Sequence, residues 1–266
     1  MHPVTTLPVT LNFLAPGTVG DLIRVGNPHD GGYVVPHSAV ERSVALISFG
    51  VNNDWTFEEK FQEINPTTLI HTYDHTVSGP VFFRAACRGA IKMLFGKMSH
   101  NEVHARFRLW RNYRSFFKLH ARHFQEKIVA TKHKRHEATL KDVFSRCSIE
   151  PVFLKIDIEG SEYQIIEDIL LFAHRIVALV IEFHDTENRD RFCRAVKRLQ
   201  SRFEIVHLHG NNCAPRATDG LPQVIELTLI SHNSHQIGVK RAMLPIENLD
   251  SPNHEGWPDY LLQFDV

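Results

Sequence analysis

Six or seven short, β-branched apolar runs recur along this chain, most of them separated by segments of helical length. That rhythm limits the fold more than any other feature. The runs fall at 44–50 (VALISFG), 67–74 (TTLIHTYD), 127–131 (KIVAT), 151–160 (PVFLKIDIEG), 175–183 (RIVALVIEF), 203–210 (FEIVHLHG) and 224–230 (VIELTLI). Helical periods lie between them: DWTFEEKFQEI after the first, SEYQIIEDILLFA after the fourth and TENRDRFCRAVKRLQ after the fifth. In the second of these helices Ser161 and Gln164 have capping-box spacing, and Ile165, Ile166, Ile169 and Leu170 share a face. In the third, Phe192, Val196 and Leu199 form the apolar stripe. Such alternation predicts an α/β chain with a mostly parallel sheet covered on both faces, since parallel strands need crossovers and helices supply them. Residues 211–223 join the last two runs without a helical period, which predicts an antiparallel final strand.

The 266 residues, 43% of them hydrophobic, suffice for one large core, so 1–266 reads as a single domain. The opening MHPVTTLPVTLNFLAPG lacks the basic and long apolar parts of a signal peptide. No apolar run approaches the roughly 20 residues of a membrane-spanning helix. Cys87, Cys147, Cys193 and Cys213 are far apart and form no CxxC pair. They read as reduced thiols, and the expected location is cytoplasmic.

A formal net charge of zero conceals a strong asymmetry. Between Pro80 and Lys127 there are 11 Lys/Arg and 2 Asp/Glu, so this segment carries +9 and the remainder −9. It lies between the second and third runs, where a short crossover helix would suffice, and reads as a basic helical insertion at 80–127 that acts as a lid or acceptor subdomain. Arg106, Arg108, Arg111 and Arg114 sit among nine aromatic residues of this stretch. Arginine forks suit carboxylate or phosphate, which predicts an anionic or phosphate-linked acceptor. The same surface offers itself to a peripheral membrane contact or a homo-oligomer contact, and nucleic acid is the less favoured partner.

Ligands of open parallel sheets bind beyond the carboxyl ends of the strands. After the first run, Gly50 permits a tight turn ahead of Asn52, Asn53 and Asp54. The second ends in Asp74, placed to accept a ribose diol, and together the two suggest an adenosine-containing ligand. The fourth run, LKIDIEGSE (154–162), puts Lys155, Asp157 and Glu159 on one face, where buried charges must pair or meet a ligand. Glu182, His184 and Asp185 close the fifth run; His207, His209, Asn211 and Asn212 close the sixth.

With RVGNPHDGGYVVP (24–36), LISFGVNNDWTFEEKF (46–61), TLKDVF (139–144), VIEFHD (180–185) and VHLHGNN (206–212), the LKIDIEGSE motif resembles the FkbM-type family of S-adenosylmethionine-dependent methyltransferases. The resemblance implies a Rossmann-like, seven-stranded class I methyltransferase sheet and methyl transfer, usually to a hydroxyl of a sugar, glycan or secondary metabolite. The glycine-rich loop of such enzymes is reduced here to Gly50, with Asn52 and Asn53 where further glycines often stand. The candidate donor-binding residues are Gly50, Asn52, Asp54, Asp74 and Asp157; the catalytic candidates are His209, His184, Asp157 and Lys155. For a divalent Mg²⁺ or Mn²⁺ ion they are Asp157, Glu182 and His209, joined by Asp185, and for the acceptor Arg106, Arg108, Arg111, Asn211 and Asn212. A metal-free general base is favoured over metal assistance. The alternatives are a nucleotide-dependent oxidoreductase on a Rossmann-like fold, which the missing GxGxxG disfavours, and a nucleic-acid-binding protein or RNA methyltransferase using the basic insertion.

Overall fold

Seven strands build the central sheet: β1 (Ala45–Phe49), β2 (Leu69–Tyr73), β3 (Ala121–Phe124), β4 (Val152–Ile156), β5 (Ile176–Phe183), β6 (Phe203–Gly210) and β7 (Ile225–Ser231). The computed structural model describes residues 4–232, 234 and 236–266. Across the sheet the order is β6-β7-β5-β4-β1-β2-β3. Neighbours are parallel except at β7, which runs antiparallel to both β5 and β6. This is the mostly parallel, seven-stranded Rossmann-like sheet expected from the sequence, including its antiparallel last strand.

Burial on both faces explains why β1 and β4 read as unbroken apolar runs: every residue of each is buried. On one face α2 (Thr56–Ile64, following the short helix α1 at His37–Arg42) lays Phe57 and Phe61 against Phe153 of β4. The opposite face is covered by α5 (Leu140–Arg146), α6 (Ile166–Leu171) and α7 (Arg189–Leu199). Phe144, Ile169, Phe192 and Val196 pack there with Ile47, Leu154, Ile181 and Leu229 in one buried cluster. Phe192, Val196 and Leu199 are buried as their spacing implied.

Two local expectations are corrected. The third sheet strand is Ala121–Phe124; of 127–131 only Lys127–Ile128 is extended, paired with Glu137–Ala138 outside the sheet. An edge strand pairs on one side only, so ARHF tolerates Arg122 and His123, and Phe124 secures it by stacking on Tyr73 at 4.7 Å. Nor does the capping box at Ser161 form. Ser161 has helical rather than extended backbone angles and caps nothing, and Glu162–Gln164 make a single 3-10 turn before α6.

Between β2 and β3 the chain rises into a helical hairpin, α3 (Gly79–Leu94) and α4 (His100–Phe116). Ser99 and Glu102 form a reciprocal capping box at the start of α4. At the other end of the sheet the C-terminal segment returns over β6 and β7. Asp250 takes His207 at 3.0 Å, and Leu262–Gln263 pair with Thr5–Thr6. Among the described residues no helix is long and apolar enough to cross a membrane.

Candidate active site

Strand order reverses between β1 and β4, and the two chains leaving these strands diverge there. A cavity of about 480 Å³ opens at this point, within the size range of small-molecule sites. Gly50, Asn52, Asp54, Asp74, Lys155 and Asp157 all line it, so the structure brings together six residues singled out from three separate stretches of sequence.

Gly50 makes the approach of the two loops feasible. Its φ is +76°, and a Cβ at this position would lie 1.7 Å from the Asp157 carbonyl oxygen. The Asp157 amide donates to the Phe49 carbonyl at 3.0 Å, fastening the two strand ends. Lys155 donates to the Gly50 carbonyl at 3.1 Å and lies 5.4 Å from the Tyr33 ring centre. It forms no ion pair with Asp157 among the described residues; it answers a carbonyl and supplies positive charge near Asp157 and the buried Glu58. Burial nonetheless raises the Asp157 carboxyl, with the Lys155 charge opposing.

Asp74 is in use in this structure. One of its oxygens accepts from the amides of Val51 (3.2 Å) and Asn52 (2.8 Å), the other from the amide (2.7 Å) and hydroxyl (2.6 Å) of Thr76. Those donors occupy the about four acceptor positions of a carboxylate, so a ribose diol would compete with them. Burial pushes this carboxyl up, but the Thr76 and Asn52 hydrogen bonds outweigh it and hold it below the usual range. Asp74→Ala should therefore release the Gly50 loop and lower stability by about 1.5–3 kcal/mol, the range for hydrogen bonds to charged groups. A folded-state pKa below the unfolded value stabilises above the ordinary aspartate range and ceases to as pH falls through the folded value. Urea unfolding at neutral pH and again near pH 3 should show the mutant's deficit shrinking with acid.

Beside the cavity, Asp157, Glu182 and His184 present ligand-capable atoms all within 4.8 Å of one another. Glu182 is 5% exposed and pushed well above the usual range by burial, then by the Asp157 and Glu226 charges. Two carboxylates that repel each other in a buried place share a proton or take up a cation. The His184 ring is held from both sides, by Glu162 at 2.8 Å on Nδ1 and Glu159 at 3.4 Å on Nε2. Burial pulls its pKa down, but the Glu162 hydrogen bond and the charges of Glu162, Asp157 and Glu159 outweigh this and raise it above the ordinary value.

Other candidates lie elsewhere. His209 is 2% exposed, bonded through Nε2 to Asp259 at 2.9 Å with Nδ1 3.5 Å from Glu226; it neither lines the cavity nor joins the trio. Asn211 donates to Glu182 at 2.9 Å, and the Asn212 amide group holds the carbonyls of His254 and Trp257 in the C-terminal segment. Asp185, with φ +53°, is a turn residue outside the trio. Arg106, Arg108 and Arg111 are exposed on α4, and none lines the cavity. Arg106 reaches the Ala85 carbonyl on α3.

Several residues of the site escaped the sequence reading. Tyr33 donates its hydroxyl to Asp157 at 3.3 Å, and Glu162 receives both the Gly160 amide and His184. Both stand inside stretches that carry the family resemblance, RVGNPHDGGYVVP and LKIDIEGSE, of which only Lys155, Asp157 and Glu159 were singled out for the site. Glu226, bonded to Asn253 at 2.7 Å, had a clearer signal, as the one charge in an apolar strand.

Residues 85–213 match a family described as the methyltransferase FkbM domain. The matched stretch contains Asp157, Glu182 and His184, and begins after the Gly50 loop. No curated protein matches the chain. Solved structures similar to it include a fibrillarin/Nop5p complex (12% identity, 72% of this chain and 73% of that one, TM-score 0.38). A fibrillarin pre-rRNA processing protein of Methanococcus jannaschii shares 8% identity over 73% and 68% of the two chains, at a TM-score of 0.38. A precorrin-6y C5,15-methyltransferase of Geobacter metallireducens GS-15 shares 10% over 73% and 85%, at 0.37. Those superpositions are loose; the sheet order and the matched family carry the assignment. Over residues 85–213, just under half of its length, the chain carries a match to the methyltransferase FkbM domain, the family that its LKIDIEGSE motif resembles.

Proposed function

We propose that this methyltransferase uses S-adenosylmethionine and methylates a hydroxyl oxygen of a sugar, glycan or secondary-metabolite acceptor. The observation that carries this reading is the cavity at the β1–β4 switch point with Asp157 in its wall. Its fit to the donor rests on the Gly50 turn, where the backbone occupies the space a side chain would need. Gly50, Asn52 and Asp54 would hold the donor from the β1 side, with Asp74 fixing the loop and Asp157 facing it from β4. When bound, adenosylmethionine supplies a methyl group made electrophilic by its sulfonium. The chain's part is to position the acceptor and take its proton.

For the proton we assign His184, oriented by Glu162 and Glu159, with Asp157 alongside. His209 is less suited, because Asp259 and Glu226 engage it away from the cavity wall. A neutral hydroxyl suits the acidic surroundings: Asp157, Glu182, Glu226 and Asp30 all act on the Tyr33 hydroxyl and would repel an anion. A base must be unprotonated, and the His184 pKa is raised. Turnover should therefore rise with pH through a midpoint above the ordinary histidine value of about 6.5. His184→Gln should remove that limb and lower kcat by about 10²-fold or more. A pH–rate profile unchanged in the mutant would remove His184 from this role.

A second reading has its own support. Two carboxylates and one imidazole within 4.8 Å make a donor set for Mg²⁺ or Mn²⁺, with His184 in the place that sequence reasoning gave to His209. Activity lost in EDTA and restored by either ion would favour it over the metal-free base.

A further inference from the structure

The hairpin α3–α4 has a face that the methyl-transfer site does not use. Along α3 three stripes run side by side. Phe82, Ala86 and Gly89 are buried against the rest of the protein. Phe83, Ile91 and Leu94 recur on a second stripe, at helical spacing, and stay 43%, 56% and 80% exposed; Phe95, at the turn, is 73% exposed. Arg84, Arg88 and Lys92 occupy the third, with Lys97 just beyond the turn, all exposed and without an ion pair among the described residues. Between residues 79 and 116 eight Lys/Arg stand against the single Glu102, and Ser99 already engages that carboxylate.

We infer that this hairpin tip docks on an anionic lipid surface, with Ile91, Leu94 and Phe95 entering the headgroup–acyl boundary and the basic stripe lying over the headgroups. This inference does not depend on the methyl-transfer reading. An exposed apolar stripe flanked by cations is the pattern of an interfacial helix. The charge is complementary to an anionic leaflet, while a two-fold-related second copy would set like-charged hairpins against each other. Single-stranded nucleic acid is less well matched. The exposed patch offers Phe83 and Phe95 beside the aliphatic Ile91 and Leu94, whereas most of the hairpin's rings, Trp110, Tyr113, Phe116 and Phe117, are packed at its root against the cluster that holds Phe82. That root rests on Val51, a residue of the cavity wall, so the docking tip stands about a helix length away from the cavity.

Vesicle co-sedimentation of the full chain tests this. Binding is expected to phosphatidylcholine vesicles containing phosphatidylglycerol, weakening as salt rises, with little to phosphatidylcholine alone. Leu94→Asp with Phe95→Asp should reduce partitioning about tenfold or more, and Lys92→Glu with Lys97→Glu about thirtyfold or more. These side chains are exposed, so thermal melting should stay unchanged in both variants. A Leu94→Trp variant should shift its emission to the blue on anionic vesicles. Absence of wild-type binding, or equal partitioning by the Leu94/Phe95 variant, overturns the inference. So does a tip variant whose only defect is in self-association or RNA retention.

Discussion

Asp157→Asn is expected to separate activity from stability in opposite directions. Turnover should fall by about 10²-fold, because the charge that supports the His184 base from the side is lost, while donor affinity changes less than tenfold. Stability should rise by about 1 kcal/mol, roughly 2–4 °C in Tm for a chain of this size. The gain follows from the raised carboxyl: burial disfavours its charged form, and the Glu159 and Asp30 charges add repulsion. A folded-state pKa above the unfolded one makes the native state bind more protons, so wild-type stability falls as pH rises from the ordinary aspartate range through the raised value. The asparagine keeps the shape and an acceptor for the Tyr33 hydroxyl but removes the charge. Matched steady-state rates and melting curves across pH check both halves. A mutant that is fully active, or one less stable than wild type at neutral pH, contradicts this account.

Gly50→Val should abolish donor binding altogether. The left-handed backbone alone costs a substituted residue about 1–2 kcal/mol, and the added carbon would sit 1.7 Å from a main-chain oxygen that Asp157 cannot withdraw without breaking its bond to Phe49. The loops leaving β1 and β4 must part, and the cavity between them goes with them. Gly50→Ala should show the same defect, and calorimetry with adenosylhomocysteine should detect binding in neither. Wild-type affinity in the alanine variant would mean that the β1–β4 contact is not needed for the site.

Much of the sheet was legible because two-sided burial writes itself as long apolar runs: β1, β2, β4, β5 and β6 lie within the expected stretches, and β7 overruns its own by one residue. The edge strand β3 was not, since one-sided pairing lets Arg122 and His123 stand where a central strand would need apolar residues. Position along the strands also located the cavity wall, because carboxyl ends converge at the switch point whatever their sequence. Which partner each polar group finds there was not legible. Asp74 is engaged by amides of its own and the neighbouring loop, and His209 by Asp259, fifty residues further along the chain. The arginines of α4 were expected at an acceptor, yet periodicity cannot say which way a hairpin leans, and they stand away from the cavity wall.

Isothermal titration of the wild-type protein with adenosylhomocysteine, with NAD as the parallel ligand, tests the central claim most directly. The account predicts saturable one-to-one binding of the adenosyl ligand, lost in Gly50→Val, and no binding of NAD. Binding of NAD alone, or of neither ligand to wild type, would contradict it.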